Sequence, residues 1–281
     1  MNLISLFIYP IKSCRGIEKQ QAQVTPKGFA WDREFMWVDS QGKFISQREY
    51  PELTQIQVQI TEDVISLAMA NSTIAPLSWQ LDLQGNQIPV NVWRSHTIAI
   101  DQGDEVAQWL HQALALKPEQ NFRLVRQSPQ HIRAINPQYT KSDNEPVSFA
   151  DGYPYLLTNT ASLADLNQRI SIQYQDHSQT IEMNRFRPNI VVDTTKPFIE
   201  DSWKLIQIGS IIFDVAKPCD RCIVTTTNQI TGTRNSLREP LKTLSSFRHF
   251  GKQGILFGQN LIPRNTGYLN QGDRLQVLET R

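Results

Sequence analysis

Leu205-Ile206-Gln207-Ile208-Gly209-Ser210-Ile211-Ile212-Phe213-Asp214-Val215 is two apolar, β-branched runs separated by two turn-forming residues. Such side chains suit the pleated, half-buried surface of a strand, and a two-residue loop opening on Gly closes a hairpin. Similar runs recur at residues 34–38, 55–60, 64–68, 89–93 and 97–100, spaced between turn residues by roughly 8 to 12 positions. A mainly β (α+β) fold with a few helices is therefore expected.

The helical signals are three. Val106, Trp109, Leu110, Ala113 and Leu114 share one helical face behind Asp104 and Glu105, whose charge suits a helix N-terminus. Leu163, Leu166 and Ile170 repeat the pattern behind a cap at Thr160, and Leu241, Leu244 and Phe247 do so behind Pro240. Leu116-Lys117-Pro118-Glu119 reads as a connector. With 281 residues the chain is expected to hold two domains, residues 1–120 and 121–281.

Hydrophobic residues make up 40% and charged residues 20% of the chain, which places it with globular proteins and against disorder or coiled coil. Lys plus Arg number 28 against 27 Asp plus Glu, so no global field draws it to nucleic acid or an anionic membrane, and any anion site must be local. The early apolar stretch at residues 6–11 is too short to span a bilayer and lacks the basic region of a secretory signal. Three cysteines argue against a disulfide-built secreted protein. A cytoplasmic location is expected.

Three clusters could carry chemistry. The sharpest is Cys219-Asp220-Arg221-Cys222, followed by the β-branched run Ile223-Val224-Thr225-Thr226-Thr227. A redox dithiol places its first Cys at a helix N-terminus, whereas this run reads as strand. A structural zinc needs four ligands, and Cys14 and five histidines, His96, His111, His131, His177 and His249, are scattered without paired spacing. These observations weaken the redox and zinc readings without removing them, beside two buried structural thiols, or one thiolate bound to a soft metal whose other ligands come from a cofactor.

In the second cluster, residues 184–192, Arg185, Arg187 and Asn189 would share one face if the segment enters a strand. Two guanidinium forks and an amide suit a phosphate or polar heterocycle, although a solvated edge strand has the same pattern. The third cluster places Lys12 and Ser13 in Tyr9-Pro10-Ile11-Lys12-Ser13-Cys14-Arg15-Gly16, with Arg33 in the following Trp31-Asp32-Arg33. These could hold an anion, or be ordinary exposed turns. No Gly-x-Ser-x-Gly, Walker, zinc-protease or dinucleotide fingerprint is present. The six tryptophans read as core or interface.

Together the clusters resemble the MOSC family, in particular the two-part members with an N-terminal β-barrel domain before the MOSC β-barrel domain, the group that includes amidoxime-reducing components. The resemblance rests on residues 9–16, 31–33, Ala-Ser-Leu-Ala-Asp-Leu-Asn at 161–167, Arg-Phe-Arg-Pro-Asn-Ile-Val at 185–191, Cys-Asp-Arg-Cys at 219–222 and Leu-Phe-Gly-Gln-Asn at 256–260.

The resemblance implies a molybdenum–molybdopterin cofactor between the two domains, with Cys222 giving its thiolate to the metal. It places Lys12, Ser13, Arg33, Thr158, Asn159, Thr160, Arg185, Arg187, Asn189 and Asp220 at cofactor-binding positions. Asp220 and Arg221 are then the nearest residues for proton delivery or substrate orientation. The implied activity is reduction of small N-hydroxylated compounds, with electrons from a separate ferredoxin-, cytochrome- or flavoprotein-type donor. A plant-type iron–sulfur cluster would need four cysteines, more than this chain has. A sulfur-carrying or cofactor-handling role is the alternative, because MOSC domains also form the C-terminal part of molybdenum cofactor sulfurases.

Overall fold

The computed structural model describes residues 1–140, 145–176 and 179–281. His177 therefore lies outside the described residues. The protein is mostly β, with three α-helices among the described residues, Asp104–Ala113, Thr160–Tyr174 and Leu241–Phe247.

The Gly209-Ser210 hairpin forms as the sequence predicts. Trp203–Ile208 pairs antiparallel with Ile211–Asp220, Ile208 opposite Ile211, and Gly209 supplies the left-handed turn at φ 56°. These strands sit in an eight-stranded sheet ordered Ile17–Lys19, Leu3–Ile8, Ile190–Val192, Tyr155–Asn159, Leu256–Pro263, Ile211–Asp220, Trp203–Ile208 and Leu275–Thr280. Tyr155–Asn159 and Ile190–Val192 run parallel, with helix Thr160–Tyr174 lying between them in the chain. A three-stranded sheet of Gly267–Asn270, Gln21–Thr25 and Gly28–Phe29 shares the same core, in which Leu6, Val24, Phe29, Tyr155, Trp203 and Phe213 are buried.

The second body is built from residues between these strands. Phe35–Val38, Arg123–Gln127, Ser95–Asp101 and Gln87–Val92 form a four-stranded sheet, and Ile56–Thr61, Val64–Met69 and Leu77–Gln80 a three-stranded one. Helix Asp104–Ala113 buries Val106, Trp109 and Leu110 in a core shared with Trp37, Leu53, Ile56 and Leu67. Two curled sheets around each core make each body a half-open barrel.

Residues 9–16 loop out of the large sheet against the second body and return, residues 30–34 lead the chain into that body, and the chain comes back after Gln127. The first two segments are tied together: Arg33 N donates to Tyr9 O at 2.8 Å and Phe35 N to Pro10 O at 3.0 Å. Ser13, Trp31 and Arg33 take left-handed φ of 73°, 71° and 50°. Residues with a Cβ occupy that region at a cost, and such strain collects at functional sites.

Two local readings are corrected. Residues 183–186 form a 3₁₀ turn, and Arg187 follows in the left-handed region at φ 53° before strand Ile190–Val192 begins. The period-two alternation therefore does not apply, and Arg185 and Arg187 diverge. The run after Cys222 is likewise a 3₁₀ turn, Ile223–Thr226, and not a strand, because Thr225 and Thr226 hydroxyls turn back to the Cys222 and Ile223 carbonyls.

Candidate active site

A cleft of about 330 Å³ opens between the two bodies, walled by residues 12–13, Arg33 and the Cys219–Cys222 segment. It gathers Lys12, Ser13, Arg33, Arg187, Asn189, Asp220, Arg221 and Cys222 from the expected residues. A larger cavity of about 750 Å³ lies elsewhere, near Asp214 and Arg264, and contains none of them.

Four expected residues stand outside the cleft lining. Arg185 turns away, donating from Nη1 to Thr226 O at 2.8 Å. Thr158 is fully buried with its Oγ1 unpartnered. Asn159, not Thr160, caps helix Thr160–Tyr174: its Oδ1 accepts from Ala161 N at 2.9 Å and its Nδ2 donates to Glu200 Oε2 at 2.8 Å. Thr160 is the first residue of that helix.

The cations are held in different ways. Lys12 is 7% exposed and donates from Nζ to Asp151 Oδ1 at 2.5 Å and to Phe149 O at 2.9 Å. Burial pulls its pKa down, partly offset by the Asp151 charge. Burial alone would raise Asp151, but Lys12 and the Trp93 indole, whose Nε1 donates at 3.0 Å, hold it well below the usual carboxylate range. Its side chain remains 65% exposed to the cleft, so solvent screens this pair. Arg33 forms two bonds to the buried Asp32 at 2.7 and 2.8 Å and a third to Arg187 O at 3.1 Å. Arg187 has no carboxylate partner among the described residues; its Nη1 donates to the neutral Gln229 Oε1 at 2.9 Å, and burial pushes its pKa down to about 10.

Tyr9 is the pillar beneath them. Its ring centroid lies 4.2 Å from the Arg33 guanidinium carbon and 4.3 Å from that of Arg187, and its hydroxyl donates to Pro188 O at 3.1 Å. Asn189 is spent on the backbone: Oδ1 accepts from Leu156 N at 3.2 Å and Nδ2 donates to Phe7 O at 3.1 Å.

Each thiol of the Cys-x-x-Cys pair has its own guanidinium. Arg48 donates to Cys222 Sγ at 3.1 Å and Arg221 to Cys219 Sγ at 2.8 Å, while the other Arg221 fork nitrogen donates to Phe186 O at 2.5 Å. Asp220 is exposed at the cleft edge, and Gly254 leaves room for it: a Cβ there would meet Asp220 Oδ1 at 2.2 Å. Arg48 stacks on Trp93, 4.5 Å from the ring centroid. Trp93, one of the six tryptophans read as core or interface, is 51% exposed at the tip of the hairpin between Gln87–Val92 and Ser95–Asp101.

Sequence reasoning missed Arg48, Trp93, Asp151 and Gln229. No local motif marks them; their roles arise from contacts across 42 or more residues, from Gln229 with Arg187 to the 174-residue separation of Arg48 from Cys222.

Residues 1–117 match the MOSC N-terminal beta barrel domain and residues 144–276 match the MOSC domain. The chain belongs to the MOSC family. It is 31% identical to human (Homo sapiens) mitochondrial amidoxime-reducing component 1 over 99% of this chain and 83% of that protein. Bos taurus mitochondrial amidoxime reducing component 2 is 32% identical over 95% of this chain and 80% of its own length. Danio rerio molybdenum cofactor sulfurase is 34% identical over 88% of this chain, which spans only 30% of that longer protein.

The donor set of this MOSC cleft fits a phosphate-bearing cofactor that carries a soft metal. Six cationic side chains, Lys12, Arg33, Arg48, Arg187, Lys217 and Arg221, line it against two carboxylates, Asp151 and Asp220. Among the described residues no three His, Cys, Asp or Glu groups stand together as metal ligands. A metal at Cys222 would bring its remaining ligands with it. No helix among the described residues is long and apolar enough to cross a membrane.

Proposed function

We propose that this MOSC protein is a molybdenum–molybdopterin oxidoreductase that reduces small N-hydroxylated compounds with electrons from a separate redox protein. The observation that carries the reading is the meeting of a guanidinium-held thiol, Cys222, with the unmatched cation Arg187 in one cleft. The similarity to amidoxime-reducing components over nearly the whole chain supports it.

When bound, the cofactor supplies the two-electron chemistry, and the protein supplies orientation and electrostatics. Arg187, Lys12 and Ser13 would hold the phosphate end and Cys222 the metal, Lys12 being the cation whose carboxylate partner, Asp151, is itself exposed to water. Arg33 holds the floor in place through Asp32 and Tyr9. Asp220, exposed at the edge, is the carboxylate placed to relay solvent protons to the substrate, which takes up two protons with the two electrons; Arg221 is engaged with Cys219 and Phe186 and steadies that turn.

The test is expression in a host that makes molybdopterin, with molybdenum and the fluorescent oxidised pterin quantified for the wild type, Cys222→Ser and Cys219→Ser. Molybdenum should be lost in Cys222→Ser and retained in Cys219→Ser; the reverse pattern overturns the ligand assignment, and a wild type without pterin overturns the enzyme reading.

The identity with a molybdenum cofactor sulfurase favours one second reading, a sulfur carrier in which Cys222 bears a persulfide made by a separate desulfurase. An extra sulfur atom on the Cys222 peptide, found by mass spectrometry in protein lacking pterin, would favour it.

A further inference from the structure

Among the cleft cations, Lys12 faces Asp151 and Arg33 faces Asp32, whereas the 9% exposed Arg187 faces an amide. That amide is locked in one orientation. Gln47 Nε2 donates to Ser13 O at 2.6 Å and to Gln229 Oε1 at 3.1 Å, and Gln229 Nε2 returns a bond to Gln47 Oε1 at 3.0 Å and one to Thr227 O at 3.1 Å. With both nitrogens committed to carbonyl oxygens, the Gln229 oxygen is the atom left to face Arg187. Gln47 and Gln229 are 0% and 6% exposed, and they come from opposite bodies. The same strap is clamped again where Arg15 Nη2 donates to Ile230 O at 3.0 Å and Gln55 Nε2 to Thr231 O at 2.7 Å.

A glutamate at 229 would fit the same space and form an ion pair with Arg187. An incoming oxyanion would then have to compete with a buried carboxylate for the fork. The amide aims the guanidinium without cancelling its charge.

We propose that the Gln47–Gln229 pair is a charge-neutral latch between the two bodies, and that Gln229 is a positioning residue that keeps Arg187 oriented and uncompensated for a phosphate-type oxyanion. The proposal rests on the reading of the cleft as the site of an anionic cofactor, and it adds a specificity device to that reading.

Full-length Gln229→Glu and Gln229→Met test it, through calorimetric titration of cofactor-free protein with inorganic phosphate, thermal melting, and pterin content after expression in a molybdopterin-making host. Gln229→Glu should weaken phosphate binding about tenfold and lower pterin content; it also loses the two Nε2 bonds to Gln47 and Thr227, so it too should melt below the wild type. Gln229→Met keeps the Arg187 charge unmatched but loses the latch bonds. It should melt lower and weaken phosphate by about threefold or less. Phosphate affinity in Gln229→Glu within about twofold of wild type overturns the proposal, as does a loss in Gln229→Met equal to that in Gln229→Glu, which would mark a packing role alone. If Gln229→Glu does not fold, Gln229→Met decides alone, and loss of phosphate binding in it is the refuting result. A wild type that takes up neither phosphate nor pterin refutes the cofactor reading itself, and the latch with it.

Discussion

The Arg48 guanidinium sits 3.1 Å from the Cys222 sulfur, a bond from one barrel to the reactive turn of the other. Arg48 is itself fixed by the Trp93 ring, and Trp93 by Asp151, so a chain of contacts runs from Lys12 to the thiol.

A guanidinium at that distance donates a charge-assisted hydrogen bond to the sulfur, worth about 1 kcal/mol in a partly exposed site. In a Cys219→Ser background, where Cys14 is buried, Arg48→Ala should slow iodoacetamide alkylation of Cys222 about fivefold at neutral pH. Trp93→Ala should give a smaller loss in the same direction. An unchanged alkylation rate in Arg48→Ala would show that the contact does not govern the thiol.

Arg187 and Arg15 both bridge to the strap after Cys222, but only Arg187 lines the cleft. Arg187→Ala should therefore lower pterin content more than Arg15→Ala does. Quantified pterin per mole of protein checks this, and equal losses would mean that the anion site is elsewhere.

Tyr9 bears two guanidinium groups on a buried ring. Tyr9→Phe keeps the ring and loses the bond to Pro188, at a cost of about 1 kcal/mol, or roughly 2 to 4 °C in melting temperature. Tyr9→Ala removes the pillar and should cost about 3 to 5 kcal/mol. Thermal melts of the two variants should differ accordingly.

Glu200 is buried with no cation against it among the described residues, accepting from Asn159 and from Ser162 Oγ, and burial together with the nearby Asp201 raises its pKa. Its proton is held more tightly in the folded protein, so it lowers stability as pH rises from about 4.3, its unfolded value, through its raised folded value. Glu200→Gln should thus be the more stable protein at pH 7 and lose that advantage below about pH 4. Urea unfolding at both pH values provides the comparison.

Strands and helices were legible because each buries one face, and burial writes a period into the sequence. The hairpin at Gly209 and the helix faces at Leu166 and Leu244 follow directly. What misled was local conformation imposed from a distance. The Thr run after Cys222 has strand-like composition, yet its hydroxyls satisfy the preceding carbonyls and curl it into a turn. Arg187 was legible as a cation, but its left-handed φ, which aims it into the cleft, is imposed by packing and leaves no mark in a sequence without glycine there. Lys12, Arg33 and Cys222 could be read from motifs, whereas Asp151, Arg48 and Gln229, which decide which charges are free, could not.

The strand Leu3–Ile8 lies between Ile17–Lys19 and Ile190–Val192 in the large sheet. On a ribosome adding about 5 to 20 residues per second, it must wait on the order of ten seconds or more before that second neighbour is made. During that wait the inner barrel, residues 35–127, can close first, leaving an apolar edge that a chaperone could shield until synthesis reaches the second half.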